Sequence, residues 1–325
     1  MRRFAMYSLG IDIGGTKCAA VLGKGELPKE TKDFIIDKIS FPTEVQRGWQ
    51  AIVAQLIESA DALLKKNNVT SDELIGVGIS CGGPLDSKKG LIQCPPNLPD
   101  WDNVPIVSVF EDHFGVKTYL QNDANACAVA EWRFGAGKGY ENLVFLTFGT
   151  GMGAGLILDG KLYSGTNDMA GEVGHIRLAE NGPVGYGKYG SFEGFCSGGG
   201  IARLGTQMAK TGLYTSPLID SGEALTAKSL ALAAKNGDAF ASEVYHICAE
   251  KLGLGLSILI DILNPQAIVI GSIYERSQEL FDPIIHEVIK SESLALSAAN
   301  CAILPADLGD EIGDFAALGL AFSNE

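Results

Sequence analysis

Basic residues are scarce in this chain relative to acidic ones: 25 Lys and Arg against 39 Asp and Glu leave a formal charge of −14. The acidic excess is spread along the sequence, whereas binding to a phosphate backbone or an anionic membrane needs clustered Lys and Arg, so neither nucleic acid nor membrane is expected as a partner. Long apolar runs are missing too. The longest, Leu252 to Ile260, falls far short of the roughly 20 residues of a membrane span. No small-residue cleavage site follows Arg2-Arg3, and Asp12 interrupts the apolar stretch behind them, which speaks against a signal peptide. No CxxC pair exists. The cysteines present (Cys18, Cys81, Cys94, Cys127, Cys196, Cys248 and Cys301) are odd in number and widely spaced, as expected of free thiols in a reducing cytoplasm. Low-complexity segments and long linkers are absent, and nothing matches the GxxxxGK[ST] phosphate loop.

What is present is one glycine pattern, twice. Leu9-Gly10-Ile11-Asp12-Ile13-Gly14-Gly15-Thr16-Lys17 bends on glycines between apolar runs and continues through Cys18–Leu22 into a Gly23-Lys24-Gly25 turn. Leu143–Phe148, Gly149-Thr150-Gly151-Met152-Gly153 and Ala154–Leu158 repeat the order and end at Asp159-Gly160. Each reads as a hairpin with a glycine-rich turn, whose consecutive amides form a nest for anionic oxygens. The second loop fits a G-x-G-x-x-G/A dinucleotide fingerprint on paper, but a strand follows it where that fingerprint needs a helix. Two nests in a chain of 325 residues point to a duplicated domain that grips a polyphosphate.

The spacing predicts a helix from Gly48 to Lys66, a buried strand over 73–80 ending at Gly82-Gly83, a loop over 93–101, a short strand over 115–120 and a helix starting near Asn122-Asp123. In the second half a strand over 267–270 takes the place of 74–80, an insertion over 160–225 has no counterpart, and Gly313 to Phe322 is a last helix packing back on the first domain. The expected fold class is α/β, with duplicated domains flanking a cleft. Their expected limits are 1–120 with about 306–325, and 121–305.

In this order the motifs resemble those of the ROK family of sugar kinases, and the resemblance implies that the duplicated domains are actin-like ATPase (ribonuclease H-like) domains. Residues 9–17 look like its first phosphate motif and Asn97-Leu98-Pro99-Asp100-Trp101 like its sugar loop. Gln121-Asn122-Asp123-Ala124-Asn125-Ala126 is similar to the catalytic motif, 149–153 to the second phosphate motif, and Ala170-Gly171-Glu172-Val173-Gly174-His175 to the signature around a sugar-binding glutamate and histidine. The match covers nearly the whole chain. It departs from the family at Val184, Tyr186 and Ser191, which stand where three cysteines of a CxCGxxGCxE run bind a structural zinc with the histidine. No zinc is therefore expected, and Tyr186 and Tyr189 are expected to hold that loop by packing and hydroxyl hydrogen bonds. Gly271-Ser272-Ile273 also has fewer glycines than the family's adenosine strand.

The resemblance implies an ATP- and Mg2+-dependent hexose kinase, cytoplasmic and homodimeric, with glucose as the default substrate. N-acetylmannosamine, N-acetylglucosamine, allose and fructose are alternatives. Phosphoryl transfer needs positioning, charge neutralisation and one group to accept the alcohol proton. Asp123 is the candidate base, and Gly83, Asn97, Asn122, Asp123, Glu172, His175 and Glu193 are the candidate sugar ligands. Gly14, Gly15, Thr16, Lys17, Thr150, Gly151, Gly153 and Gly271 would hold the nucleotide, with Asp12 reaching hydrated magnesium. Because the phosphate motif begins within ten residues of Met1, the helix-turn-helix of the family's repressors is not expected. A structural ATPase without a sugar substrate is a third reading, opposed by Asn97, Glu172, His175 and Glu193 in motif order.

Overall fold

The first glycine turn joins β1 (Tyr7–Ile13) to β2 (Lys17–Lys24) as an antiparallel hairpin in the computed structural model, which describes residues 6–28 and 30–322. Both strands are buried along their centres because helices cover them: α1 (Trp49–Lys66) lies on β2 and the last helix lies on β1. The apolar residues of α1 recur at helical spacing, and Ile52, Leu56, Ala60 and Leu63 are fully buried. β4 (Leu74–Cys81) runs parallel to β1 and sets Ser80 beside Asp12. β3 (Ile35–Pro42) closes one edge and β5 (Thr118–Asn122) the other, giving the order β3-β2-β1-β4-β5.

The second sheet repeats that plan. β6 (Leu143–Phe148) and β7 (Met152–Leu158) form the antiparallel hairpin, β9 (Ala267–Ile270) runs parallel to β6, and β10 (Ala302–Pro305) parallel to β9. With the two-residue strand β8 (Lys161–Leu162) the order is β8-β7-β6-β9-β10, strand for strand that of the first sheet. The duplication inferred from two glycine loops is thus a duplication of sheets, and each loop occupies the same corner of its own sheet.

Two compact units contain these sheets: residues 1–139, 162–170 and 307–325 in one, 140–161 and 171–306 in the other. The expectation ended the first domain near 120, but α3 (Asp123–Phe134) groups with the first unit. Its buried face packs on α8 (Ile312–Leu320), and Phe134 joins Phe34 and Phe315 at ring separations of 4.8 and 5.2 Å. Glu131, fully buried in α3, accepts amide hydrogen bonds from Ala136 at 2.9 Å and from Leu308 at 3.0 Å, which fixes the chain where it re-enters this unit. α8 approaches β4 closely enough that a Cβ on Gly78 would lie 2.0 Å from the Ala317 carbonyl oxygen. The second unit adds α4 (Gly198–Ala209), α5 (Ala227–Lys235) and the long pair α6 (Ala239–Leu263) and α7 (Ile273–Glu292). No described helix is long and apolar enough to cross a membrane.

Candidate active site

In the first unit, β1 delivers Asp12 to the edge of the glycine turn. Gly14 donates its amide to the Lys17 carbonyl at 3.1 Å, and Thr43 braces the turn through Oγ1 to the Gly14 carbonyl at 2.6 Å. Thr43 carries no motif, so sequence reasoning passed over it. Thr16 and Lys17 are exposed at the tip. Burial, then the negative charge of Asp314, pushes the Asp12 carboxyl up to about 6, while Lys38 and Lys17 pull the other way. Asp314 itself is buried at the start of α8 and accepts Lys38 Nζ at 2.5 and 2.6 Å, a pair spanning almost the whole sequence. That pair was not predicted.

Asn97 projects from the loop that the sequence placed at 93–101. Its own backbone and side chain lie against the first turn, so a Cβ on Gly15 would be 2.7 Å from the Asn97 carbonyl oxygen and 2.8 Å from its Cβ. Gly82 faces the Asn97 amide from the other side, and Gly83 has open space where a Cβ would go. Trp101, the last residue of that loop, is fully buried core.

Asn122 caps α3: its Oδ1 accepts the Asn125 amide at 2.8 Å. Asp123 opens the helix and takes the Ala124 amide on Oδ1 at 2.8 Å. Its outer side meets solvent, yet the surrounding protein desolvates it enough to raise its pKa, against the lowering effect of those amides. Burial outweighs the amides. Asp123 in turn raises the pKa of Asp12, so the two carboxylates lie within electrostatic reach of each other. A carboxylate of raised pKa is a better proton acceptor for an alcohol than an ordinary one.

In the second unit, the loop between β6 and β7 presents Thr150 to solvent. Thr147 Oγ1 accepts the Gly153 amide at 2.8 Å, and the Gly149 carbonyl accepts the Gly198 amide at 2.7 Å. Glu193 lies against this loop: its Oε2 accepts the Met152 amide at 3.1 Å and would be 2.9 Å from a Cβ on Gly151. Glu172 is exposed and His175 half-buried, at the two ends of a short turn of helix over Val173–His175. Gly271 continues β9 and donates its amide to Leu146.

The loop that resembles a zinc site is built from other contacts. His175 meets Tyr186 edge-on at 5.1 Å between centroids, and its carbonyl accepts Lys188 Nζ at 2.6 Å. Val184-Gly185 pairs with Lys188-Tyr189, and Ser191 Oγ accepts the Gly194 amide. Tyr189 contributes its backbone carbonyl, to Arg177, and its ring is exposed. The expected tyrosine hydroxyl bonds are not among the described hydrogen bonds, because both rings point outward; ring packing by Tyr186 and the lysine tie do the holding. Among the described residues no group of three His, Cys, Asp or Glu could ligate a metal ion.

Comparison with known proteins follows the same lines. The sequence profile of the ROK family matches residues 8–323. The chain is 32% identical over 313 residues to a glucokinase of Halalkalibacterium halodurans, covering 94% of this chain and 92% of that one. It is 33% identical over 287 residues to a glucokinase of Thermotoga maritima, covering 86% of each. Among solved structures, a ROK family glucokinase from Streptomyces griseus in complex with glucose and AMPPNP superposes with a TM-score of 0.72 at 28% identity, covering 97% of this chain and 98% of that one.

Proposed function

The chain belongs to the ROK family and is an ATP-dependent hexose kinase, and we propose that it phosphorylates the primary C6 hydroxyl of glucose. The observation that carries the reading is the placement of two carboxylates: Asp123 heads α3 with a pKa raised by burial, and Asp12, raised chiefly by burial and by Asp314, stands near the end of the strand that feeds the first glycine turn.

In this reading the amides of the two glycine turns, with Thr16, Lys17 and Thr150, hold the nucleotide phosphates, and Gly271 borders the adenosine. Asn97, Asn122, Glu172, His175 and Glu193 exchange hydrogen bonds with sugar hydroxyls, beside the open backbone of Gly83. A sugar lacking one of those hydroxyls leaves a buried partner unpaired, which is the source of specificity. Asp123 takes the proton from the attacking hydroxyl as its oxygen bonds to the γ-phosphorus and ADP departs; the proton then passes to solvent.

Magnesium, when bound, neutralises phosphate charge. The donor set fits it: hydrated magnesium is held by one or two carboxylates together with substrate phosphates, and Asp12 offers such a carboxylate, the neighbouring Asp314 being paired with Lys38. A cytoplasmic location is supported by seven free cysteines, and a homodimer is the assembly expected within this reading.

An ADP-release assay across hexoses and amino sugars, with ATP and magnesium present and zinc absent, tests the proposal. Glucose is expected to stimulate release most strongly, with glucose 6-phosphate identified by NMR. A different preferred sugar would remove glucose and leave the kinase; release that no sugar stimulates would remove both.

A further inference from the structure

At Leu162 the chain leaves the second unit, contributes residues 162–170 to the first and re-enters the second at Gly171. Among the residues that fasten this excursion, Asp168 makes the shortest hydrogen bonds. It is buried, with 6% of its surface exposed, and its φ of +60° is left-handed, a backbone conformation that residues other than glycine adopt at a cost. The compensation is on its carboxylate, which accepts two hydrogen bonds from one partner: the Ser87 amide on Oδ2 at 2.8 Å and the Ser87 hydroxyl on Oδ1 at 2.7 Å. Both are charge-assisted, the strong class of protein hydrogen bond, and partly buried.

The same residue reaches the catalytic motif. Its backbone carbonyl faces Asn122 Nδ2 at 3.5 Å, and that amide cannot turn over, because Asn122 Oδ1 is already engaged by the Asn125 amide. Four positions before Asp168, Ser164 Oγ meets the buried Asn125 side chain at 3.4 Å. Four positions after it stands Glu172, and then His175.

Resting on the kinase reading above, we propose that Asp168 is a positioning residue for the sugar. By gripping Ser87 it fixes the segment that orients Asn122 next to Asp123 and that leads directly into Glu172 and His175. It acts through Asn122 and the chain, and among the described residues none of its hydrogen bonds is to a phosphate-turn residue. Its loss should therefore be felt by the sugar and not by ATP.

The test compares wild type, Asp168→Gly, Asp168→Asn, Ser87→Ala and the double variant Ser87→Ala/Asp168→Gly. Glycine relieves the left-handed backbone while removing the clasp, which keeps the variant folded. Asp168→Gly is expected to raise the sugar KM about tenfold with the ATP KM unchanged, the scale of one charged hydrogen bond. Asp168→Asn, which tolerates the same φ and keeps one acceptor oxygen, should recover part of that loss. The double variant should be no worse than Asp168→Gly alone. Amide exchange in segments 121–126 and 162–175 is expected to quicken in Asp168→Gly. An unchanged sugar KM, or an equal rise in both KM values accompanied by a lower Tm, overturns the proposal. Should wild type phosphorylate no sugar, the kinase reading falls, and the exchange measurement alone decides whether the clasp orders these segments.

Discussion

Glu193 Oε2 accepts the Met152 amide at 3.1 Å, so a residue expected beside the sugar also anchors the second glycine turn. One carboxylate oxygen is committed to that turn, and the other remains available. Truncating the side chain should therefore disturb both substrates. Glu193→Ala is expected to raise the KM for ATP and for sugar, each about tenfold, while Glu193→Gln, which can still accept the amide, should affect mainly the sugar. Steady-state kinetics with each substrate varied in turn checks this; an ATP KM unmoved by Glu193→Ala would show that the amide contact does nothing for the nucleotide.

Asp123→Asn keeps the helix start, because Asn122 is the cap and asparagine is tolerated in the first turn. The carboxamide cannot take a proton. We expect kcat to fall by ~10²–10⁴ with Tm and both KM values near wild type. Full turnover in the variant would remove Asp123 from the mechanism.

Gly15 stands in contact with the Asn97 backbone, where a new methyl would lie 2.7 Å from a carbonyl oxygen that has no rotamer by which to move away. Gly15→Ala should therefore shift the sugar loop together with the phosphate turn, at a cost of about 1–3 kcal/mol in stability. The expected signature is a simultaneous rise in both KM values and a lower Tm. Gly83→Ala, placed in open space, serves as the comparison and should leave Tm unchanged.

The glycine turns, the paired inner strands and the Asn122–Asp123 helix start were legible because each is set by local chemistry: backbone approach, apolar periodicity and a cap. β3 was not seen, since Ile35–Pro42 is a half-exposed edge strand without an apolar stripe. α2 (Ile106–Phe114) was also missed, its three buried residues being too few to stand out beside a proline-rich loop. Lys38–Asp314 and Ser87–Asp168 join positions 276 and 81 residues apart, and nothing local marks either pair. Asp314 in particular resembles a solvent-facing charge in an otherwise apolar helix. Of the site, the motif residues could be read off the chain, whereas the side chains that brace them, Thr43, Asp168 and Asp314, could not.

Asp12 carries a stability cost that its function explains. Burial first, then Asp314, raises its carboxyl from 3.8 to about 6. A carboxyl whose folded pKa exceeds its unfolded value favours the folded state when protonated. Its contribution is whole below pH 3.8 and is lost as pH rises through about 6. A shift of that size corresponds to about 3 kcal/mol at neutral pH. In protein free of metal and nucleotide, Asp12→Asn should therefore be more stable than wild type at pH 7.5, with the difference shrinking toward zero near pH 4. Magnesium with a non-hydrolysable ATP analogue should narrow the gap at pH 7.5 by stabilising wild type alone. Kinase activity of the variant should fall steeply at every pH. Thermal or urea unfolding of both proteins across this pH range measures the effect, and a stability difference that does not grow with pH would mean that the Asp12 carboxyl is not strained by its surroundings.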